Sequence, residues 1–245
     1  MANYGLIGRN ISYSFSKTFF AEKFERENRP DVYSNFDIPD LRTFPKIIAE
    51  TPNLQGLNVT IPYKEAIMPY LDTIDPEAAK IGAVNTIKIT ESNQLIGFNT
   101  DHVGFSKSLE RYLPLTNKNA LVLGTGGASK AVAYVLERLG FQLLFISRKP
   151  GQGQKSYMEL TKDIIESHSL IVNTTPLGTH PKIDECPDIP YQFLGKNHLL
   201  YDLIYNPAET EFLKRGKAQE SLIQNGLSML QLQAEEAWRI WNETE

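Results

Sequence analysis

Cysteine is almost absent from this chain: Cys186 stands alone among 245 residues, so no internal disulfide can form. Histidine is scarce too, with four in all. None lies at zinc-ligand spacing from the cysteine or from another histidine, so no metal centre is expected. No run approaches the roughly 18 apolar residues of a spanning helix. Met1-Ala2-Asn3-Tyr4 leads straight into a strand-like run, without the basic and apolar regions of a secretory leader. Excess positive charge is also lacking: 25 Lys and Arg face 29 Asp and Glu, for a net charge of -4. Without a broad cationic field, neither nucleic acid nor an anionic membrane is an expected partner, although local basic sites for small anions stay open. What is present is an ordinary globular composition, 41% hydrophobic and 22% charged. We therefore expect a soluble, cytoplasmic protein of one large domain or two of about 100 to 150 residues each.

Hydrophobic periodicity supports two α/β units. Tyr4 to Ile7 reads as a strand and Phe19, Phe20 and Phe24 as the apolar face of a helix that Asn28-Arg29-Pro30 stops. A strand at 32–36, a helix at 41–49 and a strand at 56–59 complete a β-α-β-α-β pattern, which implies a mainly parallel sheet. Helical segments are expected at 64–71 and 76–81, then a hairpin of strands 84–89 and 94–98. A helix at 103–112 leads into a second alternating unit, with strands at 120–123, 141–146, 170–173 and 199–202. The last helix, 227–241, is amphipathic and must pack on something already built. Its Trp238 and Trp241 read as packing residues. We place the first domain at 1–102 and 222–245 and the second at 103–221.

Polar residues gather at the ends of apolar runs in the first unit. Asn58-Val59-Thr60-Ile61-Pro62-Tyr63-Lys64 reads as a strand, a proline turn and a lysine opening a helix, and Asn85-Thr86 and Asn99-Thr100-Asp101 follow. Such groups can converge on an enclosed polar ligand. Taken alone, the same stretch also fits a turn with a solvated lysine. Ser14-Phe15-Ser16 likewise fits either a ligand grip or a helix N-cap.

The second unit opens with Gly124-Thr125-Gly126-Gly127-Ala128-Ser129 between a buried strand and a helix. Glycines there let a diphosphate approach main-chain N-H groups at the positive end of the helix. Ser129 occupies the third position of the G-x-G-x-x-G pattern, where a small residue is needed for close packing. The next strand ends in Ser147-Arg148-Lys149, with no carboxylate to accept hydrogen bonds from ribose hydroxyls. Two cations suit a 2′-phosphate and favour NADP over NAD. Two solvated surface cations are the other reading.

These motifs occur in a telling order: Ser14-x-Ser16, Asn58 to Lys64, Gly82-Ala83-Val84-Asn85-Thr86, Gly97-Phe98-Asn99-Thr100-Asp101, Gly124 to Ala131, and Asn173-Thr174-Thr175-Pro176-Leu177-Gly178. They continue with Tyr201-Asp202, Tyr205-x-Pro207-x-x-Thr210-x-Phe212-Leu213 and Gly226-x-x-Met229-Leu230-x-x-Gln233-Ala234. In that order, and over essentially the whole chain, they resemble the shikimate dehydrogenase family. Departures from the family pattern are Tyr13 for a common histidine, Lys17 for a proline, Lys130 for an arginine and Ser147 for an asparagine.

The resemblance implies a two-domain α/β protein: a substrate domain with a mainly parallel sheet, a Rossmann-like NADP domain, and a C-terminal helix returning to the first. The implied reaction is the reversible NADPH-dependent reduction of 3-dehydroshikimate to shikimate, in aromatic amino-acid and chorismate biosynthesis. Lys64 and Asp101 are then the catalytic pair. Ser14, Ser16, Asn58, Thr60, Asn85, Tyr205 and Gln233 bind substrate. Gly124, Gly126, Gly127, Ala128, Ser147, Arg148, Lys149, Thr174, Thr175, Leu203, Gly226 and Met229 line the NADP site. A monomer or homodimer is expected. A quinate or aminoshikimate dehydrogenase with relaxed cofactor use, and a non-catalytic cofactor-binding relative, are the alternatives.

Overall fold

Alternation of buried side chains along β1 (Asn3–Gly8) determines how the first sheet is covered. Tyr4 and Leu6 point to one face and Ile7 to the other, as the two-residue period of a strand requires. The computed structural model describes residues 1–11 and 14–243, so Tyr13 lies outside the described residues. The chain forms two compact units, Met1–Val103 with the C-terminal segment from Gln233, and Gly104–Leu232.

In the first unit β1 is followed by α1 (Phe15–Arg26), β2 (Val32–Asp37), α2 (Phe44–Glu50), β3 (Leu54–Val59), β4 (Thr73–Ile74), α3 (Pro76–Ile81), β5 (Thr86–Ile89) and β6 (Leu95–Phe98). The sheet order is β2-β1-β3-β5-β6-β4. β1 pairs with β2 and β3 in parallel, whereas β5 runs antiparallel to both β3 and β6. The expected β5–β6 hairpin is therefore present. α1 buries Phe20, Lys23 and Phe24 at helical spacing, and each buried phenylalanine contributes about 1.5 to 3 kcal/mol of hydrophobic stabilisation. Against the same face lie Ala234, Ala237 and Trp241 of the C-terminal helix, α8 (Leu227–Asn242). Trp241 stacks on Tyr4 with ring centroids 4.9 Å apart and donates its indole N–H to the Ile87 carbonyl at 3.0 Å. Both tryptophans thus pack, Trp238 edge-on to Tyr4.

No α-helix forms over 64–71. Pro69 has no N–H to donate, and the Lys64 carbonyl accepts from Val84 N at 2.8 Å rather than from a following turn. The segment instead runs through turns to a single 3₁₀ turn, Met68–Tyr70.

The second unit contains β7 (Asn119–Leu123), α5 (Gly127–Arg138), β8 (Gln142–Ile146), α6 (Lys162–Glu166), β9 (Leu170–Asn173), β10 (Leu199–Asp202), α7 (Glu211–Ala218) and β11 (Leu222–Gln224). The boundary between units falls inside α4 (Asp101–Leu109), which continues as a 3₁₀ turn, Glu110–Tyr112. All pairings are parallel, in the order β11-β10-β9-β7-β8. Strand order reverses beside β7, so β7 and β9 flank the topological switch point where α/β sheets hold ligands. Ala120 and Val122 face one core and Leu121 and Leu123 the other. The return to the first unit, placed at 222 from sequence, occurs at Gln233. The reason is β11, a three-residue strand paired with β10 that is too short to show a period.

Candidate functional site

Three strand ends and the start of α4 assemble a buried polar cluster in the first unit. Asn58 lies near the end of β3, Asn85 just before β5, and Thr100 and Asp101 follow β6. Lys64 Nζ donates to Asp101 Oδ2 at 2.7 Å. The other carboxylate oxygen, Oδ1, accepts from Asn85 Nδ2 at 2.9 Å. Both charged side chains are nearly buried, 16% exposed for Lys64 and 9% for Asp101, so the pair is screened far less than a surface ion pair. Asp101 also occupies the first turn of α4, where the positive helix end favours a carboxylate.

Asn85 is the hub. Its Oδ1 accepts from Thr100 N at 2.6 Å and from Thr86 Oγ1 at 3.1 Å. Its Nδ2 also reaches Thr100 Oγ1 at 3.0 Å and Gln233 Oε1 at 3.4 Å. Gln233 is buried in α8, where the Thr100 hydroxyl donates to it at 3.3 Å. Asn58 Nδ2 donates to Thr86 Oγ1 at 3.2 Å, and Asn58 Oδ1 accepts from the Tyr33 hydroxyl at 2.7 Å. Lys64, Asp101, Asn58, Asn85 and Gln233, far apart in sequence, are thus joined by direct hydrogen bonds or through Thr86 and Thr100. Thr86 and Thr100 were visible only as motif members, and Tyr33 belongs to no motif.

Ser14 caps α1, its Oγ accepting from Lys17 N at 3.3 Å. The helix-cap reading therefore holds for Ser14, and its hydroxyl proton remains available to donate. Ser16 is buried in the first turn of the same helix. Thr60 is half-buried at the end of β3, with its N–H on the Ile7 carbonyl at 2.9 Å.

The second unit gathers the glycine-rich loop with residues after β9. Gly124 has φ +108°, and a Cβ there would meet Thr174 Oγ1 at 2.7 Å and Thr175 Cγ2 at 3.1 Å, so only glycine fits. Thr174 Oγ1 donates to the Leu123 carbonyl at 2.7 Å, and Thr175 Oγ1 to Asn173 Oδ1 at 2.7 Å. Ser129 is buried and donates to the Gly126 carbonyl at 2.6 Å. Gly126 opens α5 without a side-chain cap, and a Cβ added there would meet nothing within 4 Å. The space beside Gly126 and the uncapped start of α5, Gly127 and Ala128, suit a diphosphate. At the tip of β8 Arg148 and Lys149 are exposed and Ser147 is half-buried. The Arg148 charge reaches Tyr157, opposing the upward push that burial gives that phenol.

Leu203, Gly226 and Met229 pack in one place. A Cβ on Gly226 would lie 2.0 Å from the Leu203 carbonyl oxygen, while Met229 and Leu203 share a hydrophobic cluster. Tyr205 is half-buried after β10, and burial raises its phenol. Asp202, at the end of β10, is fully buried. Its Oδ1 accepts from Asn173 Nδ2 and Ile204 N, both at 3.0 Å, and its Oδ2 from Thr210 Oγ1 at 2.6 Å. Burial pushes the Asp202 carboxyl up to about 6 despite these three donors. Among the described residues no group of His, Cys, Asp and Glu could hold a metal ion, and no helix is long and apolar enough to cross a membrane.

Known proteins match this layout. Residues 6–87 match the shikimate dehydrogenase substrate binding domain model. A shikimate dehydrogenase (NADP(+)) of Desulforamulus reducens is 36% identical, the match covering 97% of this chain and 88% of that protein. The crystal structure of shikimate dehydrogenase 1 from Peptoclostridium difficile superposes with a TM-score of 0.88 at 39% identity, covering 100% of this chain and 93% of that one. The shikimate 5-dehydrogenase of Thermus thermophilus, solved in complex with NADP(H) and shikimate, gives a TM-score of 0.87 at 32% identity, covering 99% of this chain and 94% of that one.

Proposed function

Because the chain belongs to the shikimate dehydrogenase family, we propose that it catalyses the reversible NADPH-dependent reduction of 3-dehydroshikimate to shikimate, in the cytoplasm and as a step of aromatic amino-acid biosynthesis. The observation that carries this reading is the Lys64–Asp101 pair, 2.7 Å apart and held by Asn85. The first unit takes the substrate and the second the cofactor.

Reduction of a ring ketone leaves negative charge on oxygen, and a preorganised cation aimed at that oxygen lowers the barrier. The Lys64 ammonium serves there: it stabilises the developing alkoxide and donates its proton to that oxygen. Asp101 takes one N–H of the ammonium and so directs the remaining two. In the opposite direction a neutral Lys64 receives the proton of the shikimate hydroxyl. Asn58, Asn85 and Gln233 exchange hydrogen bonds with ring hydroxyls, and the hydroxyls of Ser14, Ser16 and Thr60 donate to the carboxylate. Tyr205 is a further substrate contact.

NADPH supplies the hydride when bound. The groups that suit it are the uncapped loop Gly124, Gly126, Gly127 and Ala128 for the diphosphate, Ser147, Arg148 and Lys149 for the 2′-phosphate, and Thr174, Thr175, Leu203, Gly226 and Met229 for the remainder. Cations without a carboxylate at the β8 tip support NADP over NAD. A spectrophotometric assay of the purified chain with shikimate or quinate and with NADP or NAD tests the reading. Shikimate with NADP should give the highest kcat/KM, and no turnover with any pair would exclude a dehydrogenase role.

A further inference from the structure

Tyr33 stands in none of the motifs above, yet its phenol is hydrogen-bonded to one of the proposed substrate-binding groups. The residue is buried on β2, with its ring stacked on Phe20 at a centroid distance of 4.6 Å. Its hydroxyl donates to Asn58 Oδ1 at 2.7 Å. Two residues along, Asn35 lies on the same side of the strand and donates to the Ile11 carbonyl at 2.9 Å. β2 therefore holds the chain ahead of α1 through Asn35 and packs on α1 itself through the Tyr33 ring on Phe20.

A primary amide has two faces of opposite hydrogen-bonding sense, and a half-turn of its last torsion exchanges them. The two sides of the Asn58 amide meet different partners. The Asn85 carbonyl, which can only accept, takes the NH₂ group at 3.4 Å, with Thr86 Oγ1 at 3.2 Å, and the Tyr33 hydroxyl fixes the opposite side by donating to Oδ1. We propose that Tyr33 is a positioning residue for substrate binding, holding the Asn58 amide in place by its oxygen. The inference rests on the functional reading above and deepens it. Tyr33 touches neither Lys64 nor Asp101 in this network, so its effect falls on substrate affinity and not on proton transfer.

Tyr33→Phe tests this, because it keeps the stacked ring and removes only the oxygen. The variant should raise KM for shikimate about tenfold, the scale of one lost preorganising hydrogen bond, with kcat within about twofold and KM for NADP unchanged. In an Asn58→Ala background the same substitution should raise KM for shikimate less than about twofold, since the group it holds is gone. A merely structural role predicts neither the split between the two KM values nor the coupling. An unchanged shikimate KM in Tyr33→Phe, or a rise that persists in full on Asn58→Ala, overturns the assignment. A wild-type chain without turnover on shikimate overturns the functional reading and this inference with it, which the same assay distinguishes.

Discussion

Asn85 and Asp101 share one hydrogen bond, Nδ2 to Oδ1 at 2.9 Å, and it leaves Oδ2 alone to meet Lys64 at 2.7 Å. A carboxylate held by one oxygen cannot swing, so the lysine it grips is aimed as well. The catalytic proposal depends on this relationship, and the first two predictions follow from it.

Lys64→Ala should lower kcat by about 10²- to 10⁴-fold, the usual worth of a positioned proton donor. Shikimate binding, followed by calorimetry, should weaken far less. A variant that loses affinity with turnover intact would show that Lys64 only binds.

Asn85→Ala removes the hub and leaves the buried Oδ1 of Asp101 without that donor. Loss of stability of about 1 to 3 kcal/mol is expected in urea unfolding, together with a fall in kcat as Asp101 gains freedom. An unfolding midpoint and a turnover both equal to wild type would contradict the role given to Asn85.

Arg148→Ala should raise KM for NADP by about tenfold or more and leave KM for NAD nearly unchanged, since only NADP carries the 2′-phosphate that a guanidinium pairs with. Steady-state kinetics with both cofactors decide it. An unchanged ratio of the two values would mean that the arginine is a surface cation.

Asp202 makes stability pH-dependent. Its folded-state carboxyl is raised to about 6 by burial, above the roughly 3.9 of an unfolded chain. The native state therefore holds the proton more tightly than the unfolded one. Its contribution is complete below about pH 4 and is lost as pH rises to about 6, on the order of 3 kcal/mol over that window. Asp202→Asn, which does not titrate, should remove this decline. Urea midpoints measured across the window should show the variant gaining on wild type as pH rises, and parallel profiles would rule out the effect.

Much of this was readable from periodicity and punctuation. The two-residue alternation of β1, the helical spacing of Phe20 and Phe24, and the glycine-rich turn between β7 and α5 are local features whose physical cause lies within a few residues. What failed were cases where a distant partner overrode the local pattern. The segment after Lys64 reads as helix, but the Lys64 carbonyl is claimed by Val84 and Pro69 withholds an N–H. β11 is three residues long and exists because β10 offers it an edge.

By itself, the sequence determined the α/β alternation, the nucleotide-type turn, the cations at the β8 tip and the residue types able to carry the chemistry, because each is a property of neighbouring residues. It also offered Lys64 and Asp101 as the candidate pair. Only the tertiary structure decided that Asn85 holds one oxygen of Asp101 and Lys64 the other, that Gln233 of α8 joins them, and that the Tyr33 hydroxyl donates to Asn58. Those contacts span 16 to 148 positions of sequence. Their geometry follows from strand order and helix packing, which no local window of residues encodes.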